Sequence, residues 1–187
     1  MNSMNDWTPI IVALAVVLVG VFVWMSMARR RRTRSLRSTF GPEYDREIQE
    51  RGSRHRAERE LRGREKRVKT YPIRPLPPTE RSRYAGLWNA QQVRFVDDPR
   101  AAVEEADHLV EEVMSRRGYP VDDFDRQAAD LSVDHPHVVD NYRYAHEIAV
   151  RQRRGEAGTE DLRKAMIYYR TLFEELLGDR PMEMPAT

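Results

Sequence analysis

Residues 9 to 28 read PIIVALAVVLVGVFVWMSMA, twenty positions without a charge, and Arg29, Arg30, Arg31 and Arg32 follow at once. A helix rising 1.5 Å per residue makes such a run about 30 Å long, which is the thickness of a bilayer's hydrocarbon core. A cleaved signal peptide is the competing reading, because Ser26 and Ala28 place small residues three and one positions before a cut. Residues 1–8, however, contain Asp6 and no Lys or Arg. The apolar run is also about twice the length of a signal-peptide core. The expectation is therefore a retained transmembrane helix over 9–28. Flanking Lys and Arg stay on the cytoplasmic side. Residues 1–8 should then lie outside, and residues 29–187 inside. Trp7 and Trp24 sit near the two ends of the run, where indole rings favour the interface.

Behind the anchor, charge is distributed unevenly. Residues 29–69 hold 16 Lys and Arg against 7 Asp and Glu, and residues 70–187 hold 16 against 22, so +9 is followed by −6. The basic charge thus belongs to the membrane-proximal part, and the whole-chain pI near 9.0 is not a nucleic-acid signature. The chain has no cysteine, which excludes disulfide frameworks, thiolate metal sites and cysteine nucleophiles. About 160 residues remain after the anchor, enough for one compact domain and a stalk.

Six arginines fall within residues 29–37, RRRRTRSLR. This collar sets the topology, and Arg29, Arg30, Arg31, Arg32, Arg34 and Arg37 are the candidate contacts for anionic lipid, at about 1 kcal/mol per basic residue near a membrane surface. Phe40-Gly41-Pro42 then breaks and restarts the chain. From there to Lys69 the pattern is charged nearly all round, with Glu47 four residues before Arg51, Glu58 before Arg62, Glu60 before Arg64 and Glu65 before Lys69. Such pairs support an exposed helix. With few apolar residues beyond Tyr44, Ile48 and Leu61, residues 29–70 read as a solvated, partly helical stalk. An arginine-rich nucleic-acid contact over 29–69 is the alternative, disfavoured because the interleaved glutamates would repel phosphate.

Tyr71 to Pro78, YPIRPLPP, carries four prolines in eight residues and reads as a semi-rigid linker. Its PxxP spacings also suit an SH3-type ligand, but a spacer is the simpler reading. Residues 79–178 read as a domain of four to five helices, with residues 179–187 as a flexible tail. Thr79 is a candidate N-cap for a helix burying Tyr84, Leu87, Trp88, Gln91 and Phe95. Asp98 and Pro99 open the clearest helix, whose stripe Ala102, Val103, Ala106, Leu109, Val110, Val113 and Met114 ends at Gly118. Asp122 or Asp123 starts a shorter helix through Phe124, Ala128 and Leu131. Asp134 and Pro136 open another through Val138, Val139, Tyr142, Ala145, Ile148 and Ala149. Thr159 caps the last, ended by Gly178, and the short GEAGT turn makes the final two antiparallel. Of Tyr142, Tyr144, Tyr168 and Tyr169, at least half should be core. The fold class is all-α: a transmembrane helix, a charged helical stalk and a helical bundle.

One cluster has metal-ligand chemistry: His135, His137 and Asp140, in DHPHVVD. Imidazole and carboxylate suit zinc, and His137 and Asp140 are three residues apart on one helical face. His146, nine residues beyond His137, falls on the other side. Helix capping explains Asp134 and Pro136 without a metal, so no metal, cofactor, catalytic residue or small-molecule substrate is assigned. Phosphate-loop, dinucleotide, nucleophile-elbow and zincin motifs are absent from the sequence.

The phrases RSTFGPEYDR (37–46), IRPLPPTERSRYAGLW (73–88), RFVDDPRAAVEEADHLVEEVMSRRGYP (94–120) and LSVDHPHVVDNYRYAHEI (131–148) resemble a group of uncharacterised bacterial proteins frequent in actinobacteria. The resemblance implies single-pass membrane proteins without an assigned activity. Taken together, these features lead to the expectation of a bacterial inner-membrane protein whose cytoplasmic helical module is an interaction scaffold for a protein partner, not an enzyme. A metal-dependent enzyme centred on His135, His137 and Asp140 is the second reading.

Overall fold

The computed structural model describes residues 8–178, with the side chains at 8–12, 15, 16, 28, 29 and 32 outside that set. The tail 179–187 and residues 1–7 of the expected external segment lie outside the described residues. All regular structure among the described residues is helical, and the chain divides into two compact units, 1–39 and 40–187.

The first unit is built on α1 (Thr8–Phe40), one helix of 33 residues. It runs through the arginine collar, because arginine is a good helix former and nothing breaks the backbone before Gly41 at φ 48. Arg30, Arg34 and Arg37 consequently recur on one face. Large apolar side chains from Leu14 to Met27 are exposed. Among the described residues no helix is long and apolar enough to cross a membrane.

In the second unit, α2 (Pro42–Arg51) and α3 (Arg54–Val68) pack against each other, with Gly52 ending α2 in a left-handed turn. Here the expected solvated stalk is corrected. Ala57, Leu61, Arg64 and Val68 form one buried face of α3, which packs on α6, and Tyr44 is buried on α2. Only five apolar residues in the 27 positions of 42–68 hid this face, because the rest of what it buries is charged. The proline segment is also no spacer between separate bodies. Leu76 is buried and Ile73 packs on the core. The Arg74 N–H donates to the Arg117 carbonyl at 2.9 Å, which straps the segment to the end of a core helix.

Five helices complete the unit: α4 (Pro78–Arg94), α5 (Pro99–Arg117), α6 (Phe124–Asp134), α7 (Val139–Arg153) and α8 (Thr159–Leu177). The α7–α8 hairpin is the most extensive packing, followed by α5 on α8 and α4 on α5. The whole predicted stripe of α5 is buried, and Trp88 of α4 stacks on Phe173 of α8 with ring centroids 4.7 Å apart. Each fully buried side chain of this size contributes about 1.5–3 kcal/mol. Asp98 and Asp123 cap their helices as expected, accepting from the Ala101 and Asp125 N–H groups. Three other caps differ. Pro77 and Gly158, not Thr79 and Thr159, precede α4 and α8, and neither makes a side-chain cap. Asp134 is the last residue of α6 and α7 begins only at Val139, so Asp134 and Pro136 open no helix. Tyr142 and Tyr169 are fully buried, while Tyr144 is exposed.

Gly118 shows how tightly the strap is seated. Its φ is +100, and a Cβ there would meet the Pro72 carbonyl oxygen at 2.7 Å. Gly118→Ala should therefore destabilise the fold by more than about 1 kcal/mol. Gly86→Ala is the control, on the exposed side of α4 with nothing within 4 Å. It should stabilise by about 0.5–1 kcal/mol. Urea unfolding of the two variants beside the parent checks both signs.

Candidate functional site

The candidate site is a charged layer that joins α2 and α3 to α6 and α7. It is centred on Arg64, whose side chain is only 5% exposed. Its Nη1 donates to Glu43 Oε1 at 2.8 Å and to Ser132 Oγ at 3.4 Å, and its Nη2 donates to Glu47. Arg143 of α7 forks onto the same Glu43 carboxylate, with bonds of 2.7 and 2.8 Å. Burial pushes the Glu43 carboxyl up from its ordinary value, against the pull of the Arg64 guanidinium.

Around this centre Arg51, Arg67 and Arg46 each take a carboxylate. The Arg51 Nε donates to Glu47 at 2.7 Å, and Arg67 forks onto Asp130 of α6 at 2.8 and 3.1 Å. The Tyr71 hydroxyl donates to the other Asp130 oxygen at 2.7 Å. Arg46 lies 2.8 Å from Glu50 and donates to Asp140 at 3.3 Å. Above the layer opens a cleft of about 660 Å³, lined by Arg46, Glu50, Arg51, Glu60, Arg64, Arg67, Asp125, Arg126, Ala129 and Arg143. Its volume lies within the range of small-molecule sites. Arg56, Arg59 and Lys66 of α3 lie outside this layer and are exposed.

The predicted metal cluster does not assemble. His135 follows α6 and is 10% exposed, with Nδ1 3.2 Å from Glu175 Oε1 and Nε2 3.4 Å from the Arg117 guanidinium. His137 is exposed and lies beside Gly41. Asp140 accepts from Arg46 and Arg143. Each side chain thus faces a different partner, and among the described residues no group of three or more His, Asp or Glu is placed to hold a metal ion. His146, as expected, is directed elsewhere: it stacks on Phe124 at 3.7 Å between ring centroids. Of the collar, Arg30, Arg31, Arg34 and Arg37 are exposed on α1, and the side chains of Arg29 and Arg32 lie outside the described residues.

A second polar centre was not read from the sequence. Asp107, on the buried face of α5, accepts from the Tyr169 hydroxyl at 2.6 Å and lies 3.5 Å from His146 Nδ1 and 3.4 Å from Arg153. Burial raises its pKa, but the bonds from His146 and Tyr169 and the Arg153 charge outweigh it and leave the carboxyl below its ordinary value. An aspartate inside an apolar stripe was the one available hint. No protein-family model, curated protein or solved structure matches the chain.

Removing one partner from the central layer strands buried charge. Arg64→Met should cost about 3–5 kcal/mol, because Glu43 and Glu47 lose their shared cation. Denaturant unfolding measures it, and a loss below about 1 kcal/mol would show that the layer is not coupled to the fold. His135 gives a pH signature. Burial, aided by Arg117, holds its pKa below the ordinary histidine value. The unfolded chain then binds the proton more readily, so the His135 contribution is complete above about pH 6.5 and is lost as pH falls through the lowered folded value. His135→Gln should flatten this slope in the unfolding midpoint between pH 7 and 5.

Proposed function

We propose that the protein is a membrane-anchored helical interaction module, with the N-terminal helix in the bilayer and the second unit presented to a protein partner on the cytoplasmic side. The observation that carries the reading is the surface of α1. Phe22 and Trp24 are 74% and 72% exposed, and Leu14, Val17, Leu18, Val19, Val21, Val23, Met25 and Met27 are exposed on every side of the same helix. A helix apolar all round must be covered by lipid or by other protein. The uncharged run of 9–28 in the sequence has the length for lipid, and the arginines that follow supply the orientation and a contact for anionic headgroups.

Binding rather than catalysis is supported by the same chain. Of the titratable side chains that could do acid–base work, His135, Asp140, His146 and Asp107 are held by partners of opposite charge or by ring stacking. Exposed apolar side chains on the second unit, Val96 at 82% and Val93 at 72%, offer a partner contact surface.

The absence of native cysteine makes the topology directly measurable. Ser3→Cys should react with a membrane-impermeant maleimide in intact cells, and Thr187→Cys only after lysis. Deleting residues 1–28 should move the protein from the alkali-washed membrane pellet to the supernatant. The reverse labelling pattern would overturn the orientation, and a truncated chain that stays in the pellet would overturn the anchor.

A further inference from the structure

Glu60 of α3 sits among three guanidinium groups without a hydrogen bond to any of them. Its carboxylate is 3.5 Å from Arg64 Nε, 3.7 Å from Arg51 Nη2 and 3.9 Å from Arg67 Nη2. Those are ion-pair distances, beyond the 2.7–2.9 Å of a charge-assisted bond. Arg64 Nε is buried and has no hydrogen-bond partner. A buried donor left unbonded costs about 1–3 kcal/mol. By contrast, the other carboxylates of the layer, Glu43, Glu47 and Asp130, bond these arginines at full strength from behind and fix the directions of their forks.

We propose that this cleft is a binding site for a phosphate-bearing small molecule, and that Glu60 is the built-in competitor the ligand displaces. The Arg64 Nε and the Arg51 Nη groups donate no hydrogen bond to the carboxylates behind them, and they offer a phosphate donors from more than one side, which its several oxygens can use and a single carboxylate cannot. Glu60 is 31% exposed and can swing to solvent, leaving a wall of six arginines against Glu50 and Asp125. Arg126, exposed on α6 at the opposite lip, completes a four-arginine cradle with Arg51, Arg64 and Arg67. The anions behind this wall set the strength. With Glu43, Glu47, Asp130 and Asp140 close by, affinity for phosphate alone is modest, about millimolar, and the remaining cleft volume is left for the rest of the ligand.

The chemistry fits a free phosphate compound or a phosphate headgroup alike, so the test has two arms. The full-length chain in neutral-lipid nanodiscs is titrated calorimetrically with inorganic phosphate and with pyrophosphate at low ionic strength, beside Glu60→Gln, Arg51→Gln and Arg126→Gln. Glu60 and Arg126 lie at the open side of the cleft and hold none of the buried carboxylates, whereas Arg51 also bonds the buried Glu47, so its variant is read beside a check of unfolding stability. Binding should tighten about fivefold or more in Glu60→Gln, as a like charge leaves the site, and weaken by a similar factor in each arginine variant. In the second arm the discs carry phosphatidic acid. Loss of the phosphate titration there identifies the headgroup as the occupant, and an unchanged titration identifies a soluble compound. The site is overturned if neither anion binds at 10 mM, or if binding is indifferent to Glu60→Gln and Arg126→Gln, which would locate it on the arginines of 29–37 instead.

Discussion

Everything in the second unit depends on one buried contact, the Glu43 carboxylate held between Arg64 of α3 and Arg143 of α7. Through it α2 and α3 are joined to the bundle, with Ser132 of α6 bonded to the same guanidinium. A buried ion pair adds little net stability, since desolvation offsets most of the Coulomb gain. Its effect is on choice of structure. Any arrangement that buries α2 and α3 in another register leaves Glu43, Glu47 and Arg64 in the interior without these partners, at a cost of several kcal/mol. Specificity of this kind turns a strongly charged segment into part of the packed domain, where apolar residues alone were too few to hold it.

That contact also explains where the sequence was readable and where it was not. The stripes of α5 and α8 announce buried faces, because apolar side chains at 3.6 spacing have one physical reading. The Asp98 and Asp123 caps are equally legible, being local and short-range. Charge spacing is ambiguous in a way that apolar spacing is not. The pair Glu47–Arg51 is real at 2.7 Å, yet the expected Glu60–Arg64 pair is a loose 3.5 Å contact. Arg64 instead bonds residues 17 and 21 positions away in the chain. Such partners leave no period in the sequence, and a solvated stalk and an ion-paired buried hairpin look the same in one dimension. The His135, His137 and Asp140 group failed as a candidate metal site for the opposite reason. Its proximity in sequence ends at the break between α6 and α7, which sends each side chain to a different neighbour.

Two buried carboxylates in this fold carry opposite shifts, and the difference shows what each surrounding is built to do. Glu43 is raised although two arginines bond it, because burial dominates and the neighbouring Glu47 repels it. Asp107 is lowered although it is as deeply placed, because hydrogen bonds from His146 and Tyr169 stabilise its ionised form. Asp107 thereby ties α5 to α7 and α8 at the centre of the bundle, the same task that Glu43 performs at its edge. The two centres divide the unit into an apolar bundle with a single polar pin, and a charged flank with a cleft.

The charge balance of the flank bears on the proposed membrane association. Of the 16 basic residues in 29–69, six lie in 29–37 with no acidic residue among them, while the ten beyond share their stretch with all 7 acidic ones. Because Arg46, Arg51, Arg54, Arg64 and Arg67 are committed to ion pairs within the fold, the +9 of the segment overstates what a lipid surface would feel. Attraction to anionic headgroups also decays within about 8 Å at physiological ionic strength. The densest positive charge free of acidic neighbours is therefore the collar on α1, on the same helix as the exposed apolar run and directly after it. Hydrophobic insertion and headgroup attraction are then both supplied by one continuous helix.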